Sequence, residues 1–198
     1  MRILVIGATG TIGREVVKAL SSGHEVVPVS RSHTPITVDL SDPASVRALY
    51  EVVGKVDAVV SAAGNARFAP FGQLTDEEFA FSLSNKLMGQ VNLVRFGIGH
   101  VSDGGSFTLT SGVLGRSPMP GGAAISLVNA GLEGFTRAAA LEVPRRIRVN
   151  VVSPPWVSET LRSLKMDPSQ GLPAATVARA YVQSVTGSQT GVVIEPAA

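Results

Sequence analysis

The first chemistry legible in the chain lies in Gly7-Ala8-Thr9-Gly10-Thr11-Ile12-Gly13. This stretch follows a short β-branched run, Arg2 to Ile6. It opens a segment, Thr11 to Ser21, in which Ile12, Val16, Val17 and Leu20 recur at helical spacing. Glycines between a strand and a helix let the backbone turn tightly and approach a ligand closely. The start of the helix adds N–H groups without partners and the positive end of the helix dipole. The pattern predicts a cradle for the pyrophosphate of a dinucleotide, built from Gly7, Thr9, Gly10, Thr11, Ile12 and Gly13. The competing reading is a tight packing turn with no ligand.

A dinucleotide held there is discriminated at the end of the second strand, Glu25 to Val29. An acid at that place accepts from the 2′-hydroxyl of NAD. Between Val26 and Val38 there is no Asp or Glu, and Ser30-Arg31-Ser32 stands instead. A guanidinium complements a 2′-phosphate in charge and geometry. Ser30 and Arg31 are therefore expected to favour NADP(H), with NAD(H) the weaker ligand. The alternative is that Arg31 is an exposed loop charge.

The elements that must position these residues alternate. Strands are predicted at Arg2 to Ile6, Glu25 to Val29, Ile36 to Val38, Asp57 to Val60, Ser106 to Thr110, Ile147 to Val152 and Val192 to Glu195. Helices are predicted over Thr11 to Ser21, from the Ser41-Asp42-Pro43 start to about Val53, over Thr75 to Gly99, Gly121 to Val143 and Ala174 to Val185. Ser153 to Pro173 reads as irregular. Uncharged strands alternating with helices predict an α/β fold, a doubly wound, Rossmann-like parallel sheet covered on both faces. With no repeat or linker, residues 1–198 read as one domain.

Of the 198 residues, 44% are hydrophobic and 16% charged, a composition unlike that of disordered, collagen-like or coiled-coil chains. The absence of cysteine excludes a disulfide scaffold and thiolate metal sites, and no metal site is expected. Lys+Arg 17 against Asp+Glu 15 is too small an excess for a nucleic-acid footprint, and Arg145, Arg146 and Arg148 read as a solvated loop at a helix end. No stretch reads as a membrane span or a signal segment. No nucleic-acid or membrane partner and a cytoplasmic location are the resulting expectations.

Several stretches, taken in order, resemble the short-chain dehydrogenase/reductase family over essentially the whole chain. Gly7, Gly10 and Gly13 match its glycine loop, spaced as in atypical and extended members. Val38-Asp39-Leu40 resembles its adenine-contacting segment, and Ala62-Ala63-Gly64 the segment after its fourth strand. Asn85-Lys86-Leu87-Met88-Gly89 resembles the segment bearing its active-site Asn. Arg148-Val149-Asn150 and Ser153-Pro154-Pro155-Trp156-Val157 resemble segments bordering its nicotinamide. The resemblance implies Asp39, Leu40, Ala62, Ala63, Gly64, Asn129, Pro154 and Val157 as cofactor contacts. It implies Ser111 and Asn85 as catalytic residues that orient substrate and water.

The long Ala-rich helix departs from the family pattern. The register set by Leu132-Glu133-Gly134 puts Ile125 and Asn129 where the family carries the Tyr and Lys of Tyr-x-x-x-Lys. In the family the Tyr hydroxyl moves the proton while hydride passes to or from the nicotinamide. A general acid needs a titratable proton, and Ile125 has none. Tyr50 and Tyr181 lie in helices not expected to face the nicotinamide. Ser111 can polarise a carbonyl but is a weak acid. Lys86 reaches the cleft only if its helix is locally unwound, and otherwise is a solvated or interface lysine. His24, His33 and His100 sit in connections, and His100 precedes the fifth strand, at the wrong end of the sheet.

Two functions of different class follow. One is an NADP(H)-dependent oxidoreductase acting on a carbonyl or alcohol with an altered proton relay. The other is a non-catalytic NADP(H)-binding redox sensor or scaffold. Apolar residues on nearly every face of 121–143 also predict a homodimer or homotetramer through helices 75–99 and 121–143. Cover by the neighbouring helix of the same chain is the alternative.

Overall fold

The computed structural model describes residues 1–197. Seven strands form one parallel sheet: β1 (Arg2–Ile6), β2 (Glu25–Ser30), β3 (Ile36–Thr37), β4 (Val56–Ser61), β5 (Val101–Thr110), β6 (Arg148–Val152) and β7 (Val193–Ile194). Their spatial order is β3-β2-β1-β4-β5-β6-β7. The order reverses between β1 and β4, so the loops that follow those strands diverge. A crevice opens there, at the carboxyl ends of the strands. This is the doubly wound α/β fold the alternation predicts.

The helices are α1 (Thr11–Leu20), α2 (Pro43–Val53), α3 (Asp76–Ser82), α4 (Gly89–Gly97), α5 (Ala123–Glu142), α6 (Ser158–Ser163) and α7 (Ala174–Thr186). Two cores flank the sheet. On one face Val16 and Leu20 of α1 meet Val177, Tyr181 and Val185 of α7 over Ile3 and Val5. On the other, Leu49 and Tyr50 of α2, Leu93 of α4 and Leu132 of α5 pack over Leu4, Phe107 and Val149. Each such side chain contributes about 1.5–3 kcal/mol on burial. Local signals set the ends of α2. Asp42 accepts from the Ala44 N–H and Pro43 occupies the first turn. Gly54, at φ +70°, stops the helix.

The expected helix over 75–99 is not continuous. A π-helical segment, Leu83–Met88, separates α3 from α4. Ser153 to Pro173 is also more ordered than expected. It contains α6, and Leu172 N donates to Trp156 O at 2.8 Å while Ser158 N donates to Leu172 O at 2.9 Å. These bonds fold the segment back on itself beside β6. The basic run is not simply solvated. Arg145 bonds the Val101 carbonyl at 3.0 Å, and Arg148 bonds the Ser184 and Val185 carbonyls at 2.7 and 2.9 Å. No helix among the described residues is long and apolar enough to cross a membrane.

Candidate active site

The glycine loop lies at the crevice. Gly7 has φ +84°, and a Cβ there would stand 2.6 Å from the Ala62 carbonyl oxygen. A Cβ on Gly13 would overlap the Gly7 carbonyl, so α1 can approach β1 this closely only with glycine at 13, while glycine at 7 lets the loop pass the end of β4. Thr9, Gly10 and Thr11 are exposed above this packed base. No side chain caps α1 and no acid lies in its first turn. The first N–H groups of the helix are thus left for an anion. The loop, its exposed rim and the uncapped helix fit the pyrophosphate of a dinucleotide.

Cavities open on both sides of the loop. The smaller, about 90 Å³, is lined by Gly7, Ser30, Arg31, Val38, Asp39, Leu40, Ala63, Gly64, Asn65 and Asn85. Arg31 is exposed there and lies 3.6 Å from Asp39. Asp39 accepts from the Ser41 hydroxyl at 2.6 Å and the Ser41 N–H at 2.9 Å. These bonds, the hydroxyl's first, hold its carboxyl below the usual carboxylate range, with Arg31 adding to them. The Ser30 hydroxyl is occupied within the loop, accepting from His33 N at 2.9 Å. It shapes the turn that carries Arg31.

The larger cavity, about 260 Å³, lies over the ends of β4, β5 and β6. Ile12, Ala62, Ala63, Gly64, Ser111, Ile125, Asn129, Pro154 and Val157 line it, as do Lys86, Gly112, Trp156 and Thr160. Apolar groups form most of its wall. Asn129 is buried, and its Nδ2 donates to the Gly112 carbonyl at 3.3 Å. Its Oδ1 is buried without a partner among the described residues.

The two expected catalytic residues, Asn85 and Ser111, lie in different surroundings. Asn85 does not line the larger cavity. Its Oδ1 accepts from Asn65 N at 2.7 Å and fixes the loop after β4. Ser111 does line it, but its hydroxyl donates to Glu133 Oε1 at 3.1 Å. The Glu133 carboxylate is buried and lies 3.5 Å from Arg116 Nε, and Arg116 in turn pairs with Glu195. The Ser111 hydroxyl is therefore held by an anion. The next residue, Gly112, faces Asn129 and has no side chain.

The π segment brings Lys86 into the cavity. Its side chain is buried, and Nζ donates to the Ser111 carbonyl at 3.2 Å. Burial pushes its pKa down to about 8. This is the unwound alternative for Lys86, produced by one wide helical turn. Gln90 and Glu133 escape sequence reasoning altogether. Both are buried polar side chains whose partners lie far along the chain, and only their charge or polarity within apolar helices signals them.

The other titratable candidates lie elsewhere. Tyr50 OH donates to Leu93 O at 2.6 Å and Tyr181 OH lies 2.6 Å from Thr110 Oγ1. Burial raises both phenol pKa values. His100 stacks on Tyr50, with ring centroids 5.2 Å apart. His33 bonds Ser32, and no histidine lines the larger cavity. Among the described residues, no group of three or more His, Asp or Glu is placed to hold a metal.

A glycine-loop crevice at the switch point of a parallel sheet defines a Rossmann-like α/β protein. A family model described as enoyl-(acyl carrier protein) reductase matches residues 8–191. The chain belongs to the short-chain dehydrogenase/reductase family of oxidoreductases. It is 33% identical over 187 residues to carbonyl reductase (NADPH) 2 of Sus scrofa, covering 85% of this chain and 77% of that one. It is 30% identical over 178 residues to L-xylulose reductase of Homo sapiens, covering 81% and 73%. Its fold matches a crystal structure of a Listeria innocua protein with TM-score 0.95 and 44% identity over 98% of both chains. It matches a small-chain dehydrogenase in complex with NADPH with TM-score 0.87 and 29% identity, over 98% of this chain and 95% of that one.

Proposed function

We propose that this protein is an NADP(H)-dependent oxidoreductase that interconverts a carbonyl and an alcohol. The observation that carries the reading is the pair of cavities flanking the glycine loop. One presents an exposed guanidinium, the other an apolar chamber with few polar groups. A dinucleotide laid across the loop would put its 2′-phosphate near Arg31 and its nicotinamide in the chamber. A bound nicotinamide supplies or accepts the hydride. Gly7, Gly10 and Gly13 keep the loop low enough for the pyrophosphate, and the start of α1 holds that charge. Asp39 and Leu40 border the adenine, and Ala62, Ala63 and Gly64 the middle of the cofactor. Asn129, Pro154 and Val157 border the nicotinamide end. Trp156 and Thr160 leave room for an apolar substrate beside it.

Relatives named as NADPH carbonyl reductase and L-xylulose reductase support the catalytic reading over the sensor. The small-chain dehydrogenase holding NADPH supports the choice of nucleotide. In the proposed proton relay, Ile125 and Asn129 stand at the family's Tyr and Lys positions, so the proton comes from another group. The test is a fluorescence titration with NADPH and with NADH, followed by carbonyl reduction on the same sample. Tight NADPH binding with turnover is expected. Failure to bind either nucleotide overturns the reading.

The proposal extends to a homodimer or homotetramer through α4 and α5. The π segment of the same chain covers part of α5, where Leu87 packs on Gly131. Leu127 and Leu141 remain 48% and 88% exposed, with Ala130 and Ala138 exposed between them. This strip of small residues and leucines suits close packing against its symmetry mate. One domain over 1–198 and a cytoplasmic location remain part of the same reading.

A further inference from the structure

We propose that Lys86 is the proton donor of the larger cavity, its ammonium meeting the substrate carbonyl oxygen. The proposal rests on the oxidoreductase reading above and names the group that completes its chemistry.

Lys86 is the only acidic or basic side chain among the residues lining the cavity. The backbone is built to deliver it there. In the π segment the Lys86 carbonyl accepts from Gln90 Nε2 at 3.3 Å. Gln90 is fully buried and grips both backbone groups of Thr110, with Nε2 2.9 Å from its carbonyl and Oε1 2.8 Å from its nitrogen. The wide turn is thereby fastened to the end of β5. Gly64, at φ +119°, makes room for the lysine stem, since a Cβ there would stand 3.1 Å from Lys86 Cγ. The ammonium has three N–H donors, and among the described residues Nζ has one partner, the Ser111 carbonyl. The others remain for a ligand.

Among the described residues, no carboxylate pairs with Lys86. From α5 it is faced by neutral Asn129, with Glu133 held behind Ser111 by Arg116. From the loop after β4, Arg67 stacks over Phe81 at 4.3 Å. Arg31 and Asp39 lie in the other cavity. Burial alone lowers its pKa, toward the range in which a general acid both holds and yields a proton.

Hydride from the reduced nicotinamide forms a C–H bond at the carbonyl carbon. The C=O π pair moves onto oxygen, an N–H bond of Lys86 breaks, and an O–H bond forms. The neutral amine recovers a proton from solvent water. In the oxidative direction the amine takes the alcohol proton.

The test uses the full-length protein with Lys86→Met and Lys86→Arg. NADPH binding is read by fluorescence, and NADPH-dependent reduction of nitrobenzaldehyde, phenanthrenequinone and acetophenone from about pH 6 to about pH 10. The expected result is a loss of turnover of about a hundredfold or more in both variants, because arginine keeps the charge but not a transferable proton. Wild-type turnover should fall as pH rises through about 8. Urea unfolding of the cofactor-free proteins supplies a readout independent of catalysis. The Lys86→Met variant should be more stable than wild type at neutral pH, by a margin that narrows as pH rises. Wild-type rates in Lys86→Arg, or NADPH binding by wild type without reduction of any probe, overturn the proposal. Absence of NADPH binding in wild type overturns the reading beneath it, and the titration separates that outcome.

Discussion

Lys86 and Asn129 grip successive carbonyl groups at the end of β5. Lys86 Nζ lies 3.2 Å from the Ser111 oxygen, and Asn129 Nδ2 lies 3.3 Å from the Gly112 oxygen. They reach that corner from the π segment and from α5. The family resemblance places a lysine at 129 and an asparagine within 85–89. Here the lysine comes from that earlier segment and an amide stands at 129. A lysine side chain thus lines the cavity from the π segment. That arrangement has consequences for stability as well as for catalysis.

Burial lowers the Lys86 pKa from its ordinary value of about 10.5 to about 8. Between those values the unfolded chain binds more protons than the folded chain, so this group's contribution makes stability rise with pH there. Below about 8 the full penalty applies, roughly 3 kcal/mol. Lys86→Met removes it while keeping most of the volume. Urea unfolding at pH 7 is expected to show the variant more stable by about 1–3 kcal/mol, with the gap shrinking toward pH 10. A gap that ignores pH would show that Lys86 is solvated in the folded protein.

Arg31 is three-quarters exposed and has one weak ion pair, at 3.6 Å to Asp39. Its replacement should leave the fold unchanged. A charge-assisted bond to a 2′-phosphate is worth about 1.5–3 kcal/mol, reduced here by solvent screening. Arg31→Ala is therefore expected to weaken NADPH about tenfold and NADH by less than about twofold. Raising salt should erode the wild-type preference for NADPH. Equal losses for both nucleotides would remove Arg31 from the specificity site.

The sheet and most helices are legible in the sequence because period-2 and period-3.6 patterns and caps such as Asp42 are local. The glycine loop is equally legible, since Gly13 answers a steric demand set by Gly7, six residues earlier, although Gly7 itself answers to Ala62 of a distant strand end. The catalytic corner is less so. Hydrophobic spacing over 75–99 does not reveal a single wide turn, yet that turn decides that Lys86 rather than Asn85 enters the larger cavity. Ser111 sits where expected, but its hydroxyl is claimed by Glu133, 22 residues later. Such a pairing exists only after β5 and α5 have packed. The start of β5 is hidden too, because only Val101 pairs there, with Val56, and the ladder shifts register before Ser106.

The exposed strip on α5 makes a prediction about assembly. Leu127, Ala130, Ala138 and Leu141 present apolar surface that the chain's own helices leave uncovered. If two copies pair through it, a charge placed at the small positions would be buried against its symmetry mate at a cost of several kcal/mol. Light scattering behind size exclusion should then give a dimer or tetramer for wild type and a monomer for Ala130→Glu with Ala138→Glu. A wild-type monomer at micromolar concentration would refute the interface.

Gly13 supplies the sharpest link between packing and ligand binding. A Cβ at this place overlaps the Gly7 carbonyl oxygen, which also accepts from Gly10 N at 2.9 Å. Relief requires α1 to lift away from β1 or the Gly7 peptide to turn. Either movement disturbs the base of the loop and carries the exposed N–H groups of the first helical turn with it. Overpacking of this kind costs about 1–3 kcal/mol. Gly13→Ala is expected to lower stability by that amount and to weaken both NADPH and NADH at least tenfold, because the pyrophosphate is common to both. Calorimetry and a two-nucleotide titration check it together. Lost stability with intact binding would show that the loop is a packing turn, and that the anion site lies elsewhere.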